Sequence, residues 1–244
     1  MPRIFPTQNK EVIWNENEGT IGVVGVAPWA TLDFCHKVYA LSKATKDWHY
    51  PRLLVDANSK IPSRGRYFDL GEQNPAPIIC QTINELAKAG ATIAVVPCNT
   101  AHILVNEWKN ADIPIVNIID ATMAKIPART TKIAVLGSRY LAAHKTYENA
   151  AKNADLAWQA LSNEEQNIVN QAINALKQSP HLEDALAASL QALATHLQER
   201  RVEAVLLACT ELSLLTKHPL WGNLAVVDSN EALAEKALQA IHHE

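Results

Sequence analysis

Short runs of consecutive apolar residues alternate with longer amphipathic stretches along most of this chain. Strands that helices cover on both faces have such continuous apolar sequences, because neither face meets water. The runs predict strands at residues 21–26, 52–57, 92–97, 114–119, 132–137, 204–208 and 224–227. Regular alternation of strand and helix predicts an α/β protein with mainly parallel sheets.

Two long stretches in the second half show a clear helical period. Residues 163–177 begin with Asn-Glu-Glu, which supplies a candidate N-cap and acidic residues for the first turn. Residues 182–200 carry an apolar stripe formed by Leu186, Leu190, Leu193 and Leu197. Both patterns predict helices that pack one face against a sheet.

An internal sequence repeat divides the chain into two related halves. The segment Ile21-Gly-Val-Val-Gly25 resembles Ile133-Ala-Val-Leu-Gly137, which lies 112 positions later. Val95-Val-Pro-Cys98 resembles Leu206-Leu-Ala-Cys209, 111 positions later. Any two buried strands share apolar residues, but each repeated pair also keeps a glycine or a cysteine in register. The repeat therefore predicts two pseudo-symmetric, Rossmann-like α/β lobes, each a mainly parallel sheet flanked by helices.

Two of the four cysteines end predicted strands, and these two occupy equivalent positions in the repeat. Ligands of open α/β sheets bind beyond the carboxyl ends of the strands, so Cys98 and Cys209 are expected on opposite walls of a cleft between the lobes. Cys35 and Cys80 fall in helical patterns and are interpreted as core residues. The spacing forms no CxxC pair and no disulfide framework.

A facing pair of thiols suits the inversion of a stereocentre, which removes a proton from one face and delivers one to the other. Thr100 and Thr210 are candidate N-caps of helices that follow the two cysteines, and a helix N-terminus lowers the pKa of a nearby thiol. One thiolate and one thiol then act as a coupled pair. The alternative for either cysteine alone is a small buried residue.

Cationic side chains that could bind a substrate carboxylate are Arg64 and Lys177. Arg64 lies in a turn-rich segment, where a guanidinium fork can bind a carboxylate through two hydrogen bonds, although Arg66 competes for this role. Lys177 near a helix end is first of all typical of a surface lysine that complements the helix dipole. His102 follows Cys98 by one helical turn, and helix geometry directs its ring along the helix rather than toward the thiol.

Composition and charge exclude several function classes. A formal net charge of −3 and the lack of a basic patch give no reason to expect nucleic acid. No apolar run is long enough for a membrane span, and residues 1–20 lack the pattern of a signal peptide, so the cytoplasm is the expected compartment. The sequence contains no HExxH motif and no complete phosphate-binding glycine motif, so neither a metal nor a cofactor is expected.

Two segments of this sequence resemble a known family. Pro97-Cys-Asn-Thr-Ala-His102 and Ala208-Cys-Thr-Glu-Leu212 are similar to the two signature segments of the aspartate/glutamate racemase superfamily, in its cofactor-independent aspartate racemase branch. Ile61-Pro-Ser-Arg64 is similar to the family's IPDR segment, whose arginine binds the substrate carboxylate. Lys177 falls where the family has a second substrate-binding cation. The resemblance further implies substrate contacts from Asn99, Thr100, Ser138 and Thr210.

The resemblance also implies an architecture and a division of labour. The last helix is expected to return to the first lobe, which would consist of residues 1–118 with 225–244, while residues 119–224 form the second. Cys209 would take the α-proton from the L-enantiomer of a small acidic amino acid, and Cys98 from the D-enantiomer. Enzymes of this family are commonly homodimers, and the same is expected here.

Local differences bear on the substrate. Glutamate racemases have Cys-Thr-His in the second signature, so Cys209-Thr-Glu211 favours aspartate. The segment Gly25-Val-Ala-Pro28 replaces a glycine-rich stretch of many relatives, which leaves glutamate or another amino acid as alternatives. A cis–trans isomerase like maleate isomerase, with one nucleophilic cysteine, and a binding module for acidic ligands also stay open.

Overall fold

The computed structural model describes residues 18–178 and 184–242, and these residues form two four-stranded parallel sheets. The first sheet has the order β2-β1-β3-β4 and comprises β1 (Thr20–Val24), β2 (Arg52–Asp56), β3 (Ile93–Val95) and β4 (Ile115–Val116). The second has the order β6-β5-β7-β8 and comprises β5 (Lys132–Gly137), β6 (Ala157–Gln159), β7 (Ala204–Ala208) and β8 (Ala225–Asp228). Because the two orders are the same, the predicted duplication is confirmed, with β1 matching β5 and β3 matching β7.

Helices cover both faces of each sheet. The α-helices are α1 (Pro28–Leu41), α2 (Arg64–Leu70), α3 (Ala76–Lys88), α4 (Ile118–Ala124), α5 (Arg139–Ala143), α6 (Thr146–Asn153), α7 (Asn163–Gln178), α8 (Asp184–Glu199) and α9 (Ser229–Ile241). Short 3₁₀ helices span Asp47–His49, Thr100–Glu107, Leu212–Leu215 and Pro219–Trp221. No helix within the described ranges is long and apolar enough to cross a membrane.

Three apolar clusters account for these layers. One lies between the two sheets and includes fully buried residues of β1, β5 and α9, such as Ile21, Ile133 and Leu233. The other two lie on the outer faces, where α3 packs on the first sheet and α7 and α8 pack on the second. Burial of each aliphatic side chain contributes about 1.5–3 kcal/mol to stability, so the central cluster stabilises the contact between the lobes.

Helix α9 carries the chain back across the molecule. It packs against α1 and α4 and also contacts β1, β3 and β4 of the first sheet. However, β8 pairs with β7 in the second sheet, so the expected boundary before residue 225 assigns this strand to the wrong lobe. Cys35 in α1 and Cys80 in α3 lie on helices as expected, but both are only partly buried against the core clusters.

Other differences from the predicted elements have local causes. Strand β4 ends at Val116 rather than at residue 119, because the Asn117 side chain accepts hydrogen bonds from the backbone N–H groups of Ile119 (2.8 Å) and Asp120 (3.4 Å) and so caps α4. Strand β6 was not predicted, since it is a short, partly exposed edge strand. The first two residues of the helix predicted at 182–200, and most of the segment 1–20, lie outside the described residues.

Candidate active site

A cleft of about 600 Å³ opens between the lobes at the carboxyl ends of the four central strands. Residues from both lobes line it, because β1 and β3 end on one wall and β5 and β7 end on the other. All of the site residues predicted from the sequence line this cleft: Arg64, Cys98, Asn99, Thr100, Ser138, Lys177, Cys209 and Thr210. The structure therefore brings together, in one cleft, the residues that the strand-end argument expected there.

The loop that carries Cys98 is held by its own backbone and by His102. The Cys98 N–H donates to Val96 O at 2.6 Å, which turns the chain sharply after β3. His102 Nε2 accepts from the Ile118 N–H at 3.3 Å, so its Nδ1 carries the proton and donates to Cys98 O at 2.9 Å. Burial lowers the pKa of His102 to about 4. His102 is therefore neutral near pH 7 and stabilises this loop through its hydrogen bonds rather than acting as a base.

Cys209 follows directly after β7 and lies beside a carboxylate. Its Sγ donates a hydrogen bond to Glu211 Oε2 at 2.9 Å. Burial of the thiol, followed by the charge and hydrogen bond of Glu211, raises the pKa of Cys209 well above its usual value. Lys177 opposes this shift and the Cys98 thiolate adds to it, so both groups act electrostatically on the Cys209 sulfur. The lowered pKa expected from a helix N-terminus is therefore wrong for Cys209.

The turns after the cysteines explain that error. Both are followed by 3₁₀ helices, and the second, Leu212–Leu215, is a single turn with little dipole to offer. Neither predicted threonine caps a helix: the N-cap positions belong to Asn99 and Glu211, and neither makes a side-chain cap. Instead, Thr100 Oγ1 and Ser138 Oγ form a hydrogen bond of 2.8 Å from one lobe to the other.

Two cations in the cleft have no acidic partner among the described residues. Arg64 begins α2 and donates through Nη2 to Val26 O at 3.1 Å and through Nη1 to Pro62 O at 3.3 Å. Arg66, its competitor in the sequence, forms an exposed ion pair with Glu72 and does not line the cleft. Lys177 lines the cleft from the last turn of α7. Within the described ranges, neither Arg64 nor Lys177 forms a salt bridge.

The family model for Asp/Glu/hydantoin racemases matches residues 21–237 of this sequence. The chain belongs to this family. The fold is that of aspartate racemases: the Picrophilus torridus aspartate racemase superposes with a TM-score of 0.77 at 23% identity, over 91% of this chain and 94% of that protein. An aspartate racemase homologue from Pyrococcus horikoshii gives a TM-score of 0.76 at 23% identity, over 92% of this chain and 100% of that one.

A curated relative is more similar in sequence. The broad specificity amino-acid racemase RacX of Bacillus subtilis is 28% identical over 232 residues, which cover 89% of this chain and 96% of that protein. Together with the family match, this confirms the coarser part of the functional prediction, an amino-acid racemase of the Asp/Glu racemase family.

In this racemase, Asn99 joins the two cysteine loops. It is 2% exposed, and its Oδ1 accepts from the Tyr147 hydroxyl at 2.6 Å. Its Nδ2 donates to Ser229 Oγ at 2.9 Å, and Ser229 in turn donates to Leu207 O at 2.7 Å. Since Asn99 follows Cys98 and Leu207 lies two residues before Cys209, this buried chain fixes one cysteine loop relative to the other. The amide of Asn99 thus has internal partners, besides any contact it makes with substrate.

A bridge across the rim of the cleft was not foreseen. Arg139 Nη2 in α5 lies 2.7 Å from both carboxylate oxygens of Asp69 in α2, and the Tyr140 hydroxyl also donates to Asp69. The hydrogen bond from Arg139 lowers the pKa of Asp69. Residues on α2 and α5 thereby connect the lobes beside the site, and no local pattern marks their pairing in the sequence.

Sequence reasoning also missed lining residues that carry a usable signal. Asn170 and Asn174 precede Lys177 by seven and three positions on α7, so helical spacing puts all three on one polar face directed at the cleft. Glu211 was noted only as a first-turn residue and a family marker, although it lies within two residues of a candidate catalytic cysteine. No group of three or more His, Cys, Asp or Glu side chains among the described residues could hold a metal ion.

Proposed function

We propose that this racemase inverts the α-carbon of an acidic amino acid, aspartate first, by proton transfer between Cys98 and Cys209. The observation that carries the proposal is the shared cleft: each lobe contributes one cysteine from the carboxyl end of a central strand. Two acid/base groups on opposite walls are the arrangement that removal and return of a proton on opposite faces requires. A binding protein has no use for paired thiols at equivalent positions.

The two thiols divide the work by protonation state. When the L-enantiomer reacts, the Cys209 thiolate takes the α-proton and leaves an electron pair on the α-carbon. The Cys98 thiol then gives its proton to the opposite face and becomes a thiolate. Reaction of the D-enantiomer runs the same steps in reverse, and in each direction one thiol and one thiolate are needed.

The charges of the cleft support a dicarboxylate substrate. Arg64 and Lys177 are the cleft cations that lack an acidic partner within the described residues, while Arg139 is already neutralised by Asp69. A substrate with two carboxylates supplies one partner for each free cation. A cation near the α-carboxylate also stabilises the negative charge that develops when the α-proton leaves.

A wider substrate range is the second candidate, and the similarity to RacX favours it. The side chain of the substrate must fit between the α2 segment and the turn at residues 25–28, where larger residues replace the family's glycines. The cleft volume of about 600 Å³ exceeds what aspartate alone would fill. The substrate panel therefore extends beyond the two acidic amino acids.

The test follows deuterium and stereochemistry together. Incubation with L-aspartate in D₂O is expected to give D-aspartate with deuterium at the α-carbon, and the same assay with glutamate, neutral and basic amino acids measures the range. Cys98→Ser and Cys209→Ser are each expected to abolish racemisation. Cys80→Ser is the matched control and keeps full activity, because Cys80 lies on α3 away from the cleft.

Full racemisation by either active-site variant would overturn the two-thiol mechanism. Conversion of added maleate to its trans isomer, with no α-deuteration of aspartate, would indicate a cis–trans isomerase instead. Saturable aspartate binding with no exchange would indicate a binding module. Racemisation of neutral or basic amino acids, but not aspartate, would overturn the acidic substrate and leave the thiol mechanism standing.

A further inference from the structure

Glu211 is a buried carboxylate with one polar contact among the described residues, the sulfur of Cys209. Glu211 is 7% exposed, and its Oε2 lies 2.9 Å from Cys209 Sγ. A buried carboxylate normally has several hydrogen-bond donors or a cation as partners. Here the thiol is the donor, in a cleft where that same thiol is proposed to exchange protons.

We propose that Glu211 is a positioning residue that holds Cys209 as a neutral thiol in the free enzyme, so that the resting thiolate is Cys98. This inference rests on the proposed function, because it assigns the two protonation states of the racemising pair. Glu211 acts through Cys209 and not on the substrate itself. Its carboxylate accepts the S–H hydrogen bond, whereas a thiolate at the same place would face a second negative charge.

The other charged groups around Cys209 do not reverse this assignment. Lys177 faces it from α7 and favours the thiolate, while a thiolate on Cys98 across the cleft disfavours a second one. Burial and the Glu211 carboxylate are the larger influences, and both favour the thiol. At the equivalent position of the first lobe, two residues after Cys98, stands Thr100, whose hydroxyl forms a hydrogen bond with Ser138.

The resting pair is therefore set for one enantiomer. In the free enzyme the Cys98 thiolate can take the α-proton of the D-enantiomer, and the Cys209 thiol can supply its S–H proton to the opposite face. The product is the L-enantiomer, with Cys98 as thiol and Cys209 as thiolate beside Glu211. Release of product then allows one proton to pass from Cys98 to Cys209 through solvent, which restores the resting form without net change in protons.

Thiol alkylation tests the inference without using racemisation. In a Cys98→Ser background, iodoacetamide labelling of Cys209 is followed against pH, with peptide mass mapping to separate it from Cys35 and Cys80. Only the thiolate reacts rapidly. Glu211→Gln keeps the size of the side chain, removes its charge and can donate to a thiolate. The pH of half-maximal labelling is expected to fall by about one unit or more.

Two variants serve as comparisons for that shift. Glu211→Asp keeps the charge, so its pH of half-maximal labelling at Cys209 is expected to be closer to that of the parent than the value for Glu211→Gln. Glu203→Gln is a matched control, since Glu203 is exposed and bonds Thr131 at the opposite end of β7; it is expected to leave the labelling curve unchanged. Circular dichroism checks that each variant is folded. If Glu211→Gln does not fold, Glu211→Ser takes its place as the variant without the charge, and its pH of half-maximal labelling is compared with those of Glu211→Asp and the parent.

The pH profile of racemisation gives a second readout. Loss of the second proton from the thiol pair inactivates the enzyme on the alkaline side, so Glu211→Gln is expected to move the alkaline limb to lower pH. A merely structural role would lower the rate without moving the limb. An unshifted labelling curve and an unshifted limb would overturn the role of Glu211 alone, whereas racemisation by Cys209→Ser would overturn the proposed function.

Discussion

Replacement of Lys37 by methionine is expected to destabilise the protein strongly, because it removes the cation from a buried charge cluster. Lys37 Nζ in α1 lies 2.6 Å from Asp33 Oδ2 and 2.7 Å from Asp228 Oδ2. The side chains of the three residues are 14%, 20% and 1% exposed. Asp228 also caps α9, and it accepts hydrogen bonds from Ser213 (2.6 Å) within the 3₁₀ helix that follows Cys209 and from Thr216 (3.1 Å) at the end of that helix. One ammonium group thus joins α1, α9 and the second cysteine segment.

The size of the effect follows from these distances. At an effective dielectric constant of about 20, each contact is worth about 6 kcal/mol before desolvation. Desolvation of the charged groups offsets several kcal/mol per ion, so the net value of the intact cluster is modest. Methionine preserves the length of the side chain but leaves two carboxylates facing each other without a cation. Loss of one partner from a buried pair of this kind costs about 3–5 kcal/mol.

Urea unfolding at pH 7 measures the difference in the free energy of unfolding. Lys145→Met is the matched control, since Lys145 is 64% exposed and lies 3.9 Å from Glu148; an exposed pair of this kind contributes about 0–1 kcal/mol. A loss below about 1 kcal/mol for Lys37→Met, or equal losses for both variants, would show that the cluster does not stabilise the fold as argued.

The same pair of proteins has a defined pH dependence. Burial by itself lowers the pKa of Lys37, but the charges of Asp228 and Asp33 outweigh it, and the pKa is raised. The folded state therefore holds its proton to higher pH than the unfolded chain, whose lysine pKa is about 10.4. The advantage of wild type over Lys37→Met is expected to stay constant from pH 7 to about 10 and to shrink above that value.

Two further substitutions test the packing around the cysteine loops. In Gly137→Ala the new Cβ would lie 2.9 Å from Leu141 Cδ1 and 3.0 Å from Ala208 O, so we expect thermal unfolding to show a destabilisation of about 1–3 kcal/mol. Because Ala208 precedes Cys209, we also expect a lower kcat, and a wild-type kcat would contradict this. The second substitution, His102→Gln, is expected to change how the free energy of unfolding depends on pH below about 6.5. The lowered pKa of His102, about 4, means that the unfolded chain binds its proton first as pH falls. Wild type should therefore lose roughly 3 kcal/mol between pH 6.5 and 4 that the variant keeps, as urea unfolding at several pH values would measure.

Most of the buried strands and their duplication were accessible from the sequence because they depend on repeated local features. Continuous apolar runs mark buried parallel strands, and the Gly and Cys residues in register mark equivalent strand ends. The same logic failed at residues 118–119, where two isoleucines looked like strand but begin α4. The capping Asn117 decided that element, and its signal was local and present in the sequence.

The electrostatic state of the thiols was not accessible in this way. Whether a helix N-terminus acts on a thiol depends on the length and type of the helix, and the single 3₁₀ turn after Cys209 offers little dipole. Burial of Cys209 and the orientation of Glu211 depend on tertiary packing, which no spacing rule supplies. The bridge between Asp69 and Arg139 likewise joins residues 70 positions apart, so only the assembled lobes bring it together.

The repeat also explains why the site is symmetric in shape and asymmetric in charge. Duplication of one strand arrangement places a cysteine at the same strand end in each lobe, so that both cysteines line one cleft, as the proposed inversion of a carbon centre needs. Two residues after each cysteine, however, the lobes differ: Thr100 turns its hydroxyl to Ser138, whereas Glu211 accepts the Cys209 S–H. A neutral hydroxyl has no preference between thiol and thiolate comparable to that of a carboxylate. Burial of Cys209 and the Glu211 carboxylate both favour the thiol at this position, and the proposed resting state rests on these two influences together.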